Sequence, residues 1–69
     1  MFEVIPFTVC IFLTGQCLEL EDLRGPYSTE EACEIRISEM VMGARAVYTP
    51  RYGPVTANPK GCRPAGLLL

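Results

Sequence analysis

The first half of the chain alternates between apolar and polar positions in a way that predicts a β-hairpin. Residues 2–13 are rich in β-branched and aromatic side chains, which favour a strand that is buried on at least one face. Gly15 can adopt the positive φ angle that a tight turn needs. Residues 17–21 then alternate, with Leu18 and Leu20 on one face and Glu19 and Glu21 on the other, as in a strand with one solvated face.

A helix is predicted to follow the hairpin, over residues 28–47. Ser28 and Glu31 have the spacing of a capping box, in which each side chain bonds a backbone N–H group exposed at the start of a helix. Apolar residues recur at helical spacing from Cys33 onward, and Pro50 is expected to end the helix. One face of this helix is therefore expected to pack on the sheet.

Three further apolar residues fall on nearly the opposite side of the predicted helix, namely Ile35, Met42 and Ala46. Burial of one helix face does not require them, and two interpretations stay open. They are scattered surface residues or are covered by the C-terminal segment, since isolated exposed apolar side chains are common. Alternatively, they form a stripe that binds a partner, since contiguous exposed apolar patches mark contact surfaces.

From Thr49 onward the chain is rich in proline and glycine, which argues against helix and restricts strands to short or edge pieces. Residues 55–57, or those around Cys62, are candidates for a third strand. The remainder is expected to run as an extended basic arm that ends in an apolar tail. The candidate partner contacts of this arm are Arg51, Tyr52, Leu67, Leu68 and Leu69.

Together these elements predict a small α+β fold with the order ββαβ. Residues 1–48 form its hairpin and helix core, and residues 49–69 form the Pro/Gly-rich basic arm with a short strand and the apolar tail. A chain of 69 residues is too short for two domains. It buries only about 60% of its unfolded surface, so its core alone is marginal and a covalent staple is expected.

Four cysteines supply the candidate staple: Cys10, Cys17, Cys33 and Cys62. They allow three pairings, among which the sequence does not decide. A zinc site would need all four at irregular spacing because the chain has no histidine, and reduced core thiols are the alternative for a cytosolic protein. We favour two disulfides, worth about 2–4 kcal/mol each, with Cys17 paired to Cys33 and Cys10 paired to Cys62.

The N-terminal apolar run is not expected to be an export signal. Glu3 stands where a positive charge belongs, Pro6 interrupts the run, and no small-residue cleavage site follows before Gly15. The run is also too short to span a bilayer. A protein that carries disulfides without an export signal is expected to mature after it leaves the cytosol, for example when cells lyse.

Charge and composition narrow the chemistry. The formal net charge of −2 gives no attraction to nucleic acid or anionic lipid. All eight acids lie in residues 1–39 and four of the six bases in residues 40–69, so we expect one acidic and one basic part in the folded protein. Catalytic arrangements that need histidine are impossible, and the acids Glu19, Glu21 and Asp22 are expected to form a solvated face. We therefore predict a non-enzymatic protein without cofactor, metal, nucleic-acid, membrane or small-molecule partner.

The run GPYSTEEACEIR at residues 25–36 follows a cysteine-bearing hairpin and precedes a late cysteine. In this arrangement, residues 7–62 resemble short uncharacterised proteins encoded by tailed bacteriophages of marine bacteria. The resemblance implies a phage setting, in which release by lysis would fit disulfides without a signal peptide.

The function we expect is that of a virion structural protein, such as a capsid decoration or cement subunit. It would be made in the host cytoplasm and bind other virion subunits or copies of itself. The alternative is a small soluble effector that binds a host protein inside the infected cell.

Overall fold

The computed structural model describes residues 1–65 and confirms a mixed α+β fold, with one helix and five strands in two sheets over that range. Both candidate third strands form. In chain order the elements are β1 (Phe2–Val4), β2 (Phe7–Ile11), β3 (Cys17–Leu20), α1 (Glu30–Tyr52), β4 (Val55–Asn58) and β5 (Cys62–Pro64). The segment predicted as an arm thus supplies, up to Ala65, the end of α1 and two paired strands.

The two sheets are parts of one interrupted ladder. One sheet has the order β3-β2-β4 and the other pairs β1 with β5, all antiparallel. The pairs of β1 with β5 and of β2 with β4 share one continuous register. In each pair, from Phe2 with Pro64 to Ile11 with Val55, the two residue numbers have the same sum. The ladder breaks near Pro6 and Pro59, because proline has no N–H group to donate.

The break at Pro6 also changes which residues face the core. Val4 is buried in β1, whereas Phe7, Val9 and Ile11 are buried in β2, so buried positions switch from even to odd numbers across the proline. The prediction of one continuous strand over residues 2–13 was therefore wrong. The chain turns after Ile11 instead.

The helix begins one residue later than the predicted capping box requires. Thr29 is the N-cap, and its hydroxyl accepts a hydrogen bond from the N–H group of Ala32 at 3.1 Å. Ala32 therefore occupies the position that a capping box reserves for a glutamate. The predicted pair of Ser28 and Glu31 was wrong because the neighbouring threonine can make the same cap.

The helix also continues through Pro50, which was wrongly predicted to end it. Pro50 removes one backbone donor in the last turn, and α1 extends two residues further. The rings of Tyr48 and Tyr52 lie 6.2 Å apart and pack across this turn. Gly53 then ends the helix with a φ of 82°, while its N–H group donates to the carbonyl of Thr49 at 3.0 Å.

All four cysteines form disulfides, but with a pairing different from the one we favoured. Cys10 bonds Cys17 across the hairpin, and Cys33 bonds Cys62, which ties the first turns of α1 to β5. Cys10 and Cys17 are paired residues on adjacent strands with Cα atoms 4.0 Å apart. Cys10 alternates with the buried Val9 and so faces away from the helix, which prevents the predicted bond to Cys62.

The core lies between one face of α1 and the ladder. Its buried members are Val4, Phe7, Val9, Cys33, Ile37 and Ala44. A 23-residue helix is about 34 Å long, and the molecule measures 43 × 17 × 15 Å, so α1 runs along most of its length. Among the described residues, no helix combines the length and apolar character that crossing a membrane requires.

Candidate functional site

Three of the exposed apolar side chains of α1 lie along one line of the helix, and we call them the helix stripe: Ile35, Met42 and Ala46. Ile35 is 57% and Met42 68% exposed, and Ala46 is also exposed. At 100° per residue the three lie within about 40° of one another, on the side of the helix opposite the core. No described part of the C-terminal segment buries them, so the interpretation of a covered stripe is not supported over residues 1–65.

The N-terminal end of the helix stripe borders a concave surface. Ile35, Tyr27 and Ala32 line a cavity of about 240 Å³, and its polar rim includes Arg36 and Glu39. A mostly apolar wall with a few polar groups is the usual character of a binding pocket. The stripe therefore extends over about 16 Å of helix, with the exposed Ser38 and Glu39 between Ile35 and Met42, and has a depression at one end.

A second apolar surface lies where the hairpin meets the end of α1, and we call it the apolar end: Phe12, Leu13 and Tyr52. Phe12 is 75% and Leu13 71% exposed. The N–H group of Phe12 donates to the carbonyl of Pro54 at 3.1 Å, which fixes the turn beside the helix terminus. Sequence reasoning missed Phe12 and Leu13 because it placed them inside a strand. Their position directly before Thr14 and Gly15 was the signal that they belong to the turn.

The predicted partner contacts do not form one continuous surface. Tyr52 belongs to the apolar end, about 100° around the helix from the centre of the helix stripe, and Arg51 is about 160° from it. Both are exposed. Leu67, Leu68 and Leu69 lie outside the described residues. Partner binding by these residues remains a prediction.

The loop between β3 and α1 is held by a buried carboxylate. Asp22 accepts hydrogen bonds from the hydroxyl of Tyr27 at 2.7 Å, from Nε of Arg36 at 3.0 Å and from the backbone N–H of Arg24 at 3.1 Å. Its side chain is only 3% exposed. The expectation that Asp22 belongs to a solvated acidic face was therefore wrong, whereas Glu19 and Glu21 are exposed.

This cluster shifts the ionisation of its members. Burial raises the pKa of Asp22. The hydrogen bonds from Tyr27, Arg24 and Arg36, together with the charge of Arg36, lower it by a larger amount, so the pKa lies below its ordinary value. Burial and the nearby carboxylate raise the pKa of Tyr27. The hydrogen bond to Asp22 raises the pKa of Arg36. All three groups therefore keep their neutral-pH charge states, and the cluster anchors the loop to the helix.

The described residues thus define a small disulfide-stapled α+β domain with exposed apolar surfaces on its helix and at its hairpin end. Comparison of the chain with protein-family models, with curated proteins and with solved structures finds no match. The function must therefore be argued from these surfaces.

Proposed function

We propose that the protein is a non-enzymatic virion structural protein of a bacteriophage, acting through protein–protein contacts as a capsid decoration or cement subunit. The observation that supports this most is the exposed helix stripe. The helix already buries Cys33, Ile37 and Ala44 on its other side, so the fold does not account for Ile35 and Met42. Apolar residues clustered on the surface in this way mark contacts with other proteins.

The size of the stripe fits a contact that is repeated many times. Complete burial of an isoleucine or methionine side chain stabilises by about 1.5–3 kcal/mol, and the exposed fractions of Ile35 and Met42 leave about 1–2 kcal/mol each for a partner. An ordinary interface of about 800 Å² per partner would cover roughly a sixth of the accessible surface of 4696 Å². One such contact is modest, and a shell offers the same contact at each equivalent position.

The disulfides favour the virion over the host cytosol. Both pairs are closed, and the cytosol keeps thiols reduced. A protein that works after lysis meets oxidising conditions, whereas an effector inside the infected cell does not. The effector is therefore the second candidate.

Mass spectrometry of purified particles, prepared without reductant, tests the proposal. We expect the protein in many copies per particle, with Cys10 bonded to Cys17 and Cys33 bonded to Cys62. Absence from particles, together with presence in lysates of infected cells, would instead support the effector.

Substitution of the stripe tests the surface itself. Met42→Glu should fold like the wild type, because the side chain is mostly exposed, but should weaken association with particles about tenfold or more, since it places a charge in an apolar contact. Thr56→Glu, on the exposed face of β4, is the matched control and should associate normally. An unfolded Met42→Glu variant would show that the stripe belongs to the core.

The predicted docking of the tail is tested by a variant that lacks residues 66–69. The ladder up to Ala65 is retained in this variant, since the N–H group of Ala65 donates to the carbonyl of Met1. We expect particle association to fall more than the free energy of unfolding. Equal loss of both quantities would argue against a docking tail.

A further inference from the structure

Over residues 1–65, the sheet leaves one edge strand open to pairing. β3 and β4 are the terminal strands of the order β3-β2-β4. Pro54 and Pro59 flank β4 and hinder the addition of another strand, whereas β3 contains no proline and is followed by none until Pro26. β3 is therefore the edge that a further strand can join.

The hydrogen-bond pattern shows which backbone groups of β3 face that open side. The N–H group of Ile11 donates to the carbonyl of Gln16 at 2.8 Å, so the next pair, Cys10 and Cys17, is a non-hydrogen-bonded pair. Their Cα separation of 4.0 Å agrees with this. Because the pattern alternates, the N–H and C=O groups of Cys17 and Glu19 point away from β2.

An apolar groove of about 300 Å³ runs between β3 and α1. Its apolar wall comprises Leu20, Met40, Gly43, Ala44, Val47 and Tyr48. Leu18 lies on the same face of β3 as Leu20 and is exposed, as is Val47. A Cβ atom added to Gly43 would meet nothing within 4 Å, so the groove is open at the helix surface.

The charges around this edge are mostly negative. Glu19, Glu21 and Glu39 surround it, and the guanidinium of Arg36 on the groove wall already bonds Asp22 and Glu39. Two copies joined through β3 would bring their Glu19 and Glu21 side chains together, and like charges on adjacent strands destabilise a pairing. The edge therefore matches a basic occupant better than a second copy of itself.

We propose that β3 and this groove bind an extended segment of a partner protein by strand addition. The partner residues opposite Leu18 and Leu20 face α1 and are apolar, filling the groove, while the residue opposite Glu19 lies on the other face and is lysine or arginine. Main-chain hydrogen bonds to Cys17 and Glu19 hold the segment. This inference rests on the proposed function only in taking the partner to be a protein, and it uses a surface separate from the helix stripe.

A capped seven-residue peptide of alternating lysine and valine is the probe, and the same peptide with glutamate in place of lysine is its control. In an NMR titration we expect the lysine peptide to shift the amide signals of Cys17 and Glu19 and to slow their hydrogen exchange. The glutamate peptide should bind at least tenfold more weakly.

Variants at two positions separate the groove from the edge. Gly43→Phe should weaken binding of the lysine peptide at least tenfold by filling the groove, while Ser38→Phe, at an exposed position of α1 outside the groove, should bind like the wild type. Glu19→Pro removes an N–H group that the fold does not use, so it should remain folded and lose binding. Met42→Glu should bind the peptide normally, so this proposal and the proposed function can fail separately.

Three results would overturn the inference. Equal affinity for the two peptides would refute the charge argument, and signal shifts confined to the helix stripe would refute the location. Without peptide, a dimer in sedimentation experiments with slow exchange at Cys17 and Glu19 would show that a second copy occupies the edge.

Discussion

The two disulfides are expected to contribute unequally to stability, and removal of each pair measures the difference. Cys33 and Cys62 are 29 residues apart, whereas Cys10 and Cys17 are 7 apart. The loop-entropy relation assigns about 3.6 kcal/mol to the longer loop and about 2.4 kcal/mol to the shorter one. Cys33 is also fully buried, so its replacement by alanine removes packed atoms from the core as well.

The loss should be large relative to the whole. A chain of 69 residues is stable by about 3.5–10 kcal/mol at ordinary values per residue. We expect the double variant Cys33→Ala/Cys62→Ala to be partly unfolded at 25 °C, and Cys10→Ala/Cys17→Ala to remain folded with a lower urea midpoint. Urea titrations followed by far-UV circular dichroism give both free energies and show through the m-value whether the denatured state has changed.

The two double variants can be compared directly with each other. If the variant without Cys10 and Cys17 lost as much stability as the variant without Cys33 and Cys62, neither loop length nor core burial would govern the contribution of these crosslinks. Hairpin register would then be the dominant effect, because the short crosslink fixes the pairing of β2 with β3.

Three further predictions concern Gly43, the two disulfides and Asp22. Gly43→Ala should raise the free energy of unfolding by about 0.5–1 kcal/mol in urea titrations, since the added methyl group meets nothing in a helix interior. Mild reductant should open Cys10–Cys17 before Cys33–Cys62, seen by alkylation and mass spectrometry, because Cys17 is exposed and Cys33 is buried. The native pKa of Asp22 lies below its unfolded value of 3.8, so its ionised form stabilises the fold above that pH and this stability is lost as the pH falls below it. Asp22→Asn should flatten this acid dependence of unfolding.

Local patterns were sufficient to predict the kinds of element but not their limits. Alternation over residues 17–21 and helical spacing from Cys33 onward are signals carried by neighbouring residues, and both elements form. The end of the helix could not be predicted from these signals, because it depends on side-chain packing as well as on the backbone preference of proline. α1 continues through Pro50 although proline lacks the N–H group for one backbone hydrogen bond, and the rings of Tyr48 and Tyr52 pack across this turn.

The cysteine pairing could not follow from local signals, because it depends on which face of a strand each residue occupies. Pro6 shifts the buried positions of β1 and β2 by one residue, and this sets Cys10 on the outer face, opposite Cys17. A strand continuous through Pro6 would have kept the even-numbered side of β1 against the helix. Cys10 would then have faced the core, as the favoured pairing with Cys62 assumed.

The helix stripe could be predicted from local patterns, whereas the groove between β3 and α1 could not. The positions of Ile35, Met42 and Ala46 around the helix follow from helical spacing alone, so their common exposed face was predictable. The groove depends on strand order, and the sequence does not specify on which side of β2 each neighbour pairs. For that reason it emerged only with the sheet topology.

Strand order also explains why the expected division into an acidic and a basic part is only partly found. β1 and β2, from the acidic half of the sequence, pair with β5 and β4 from the basic half, and Glu3 forms an ion pair with Arg63 across this ladder. β3 lies on the side of β2 away from β4, so among the described residues no strand of the basic half lies beside Glu19. The open edge thus keeps its negative charge, and this charge selects a basic partner strand.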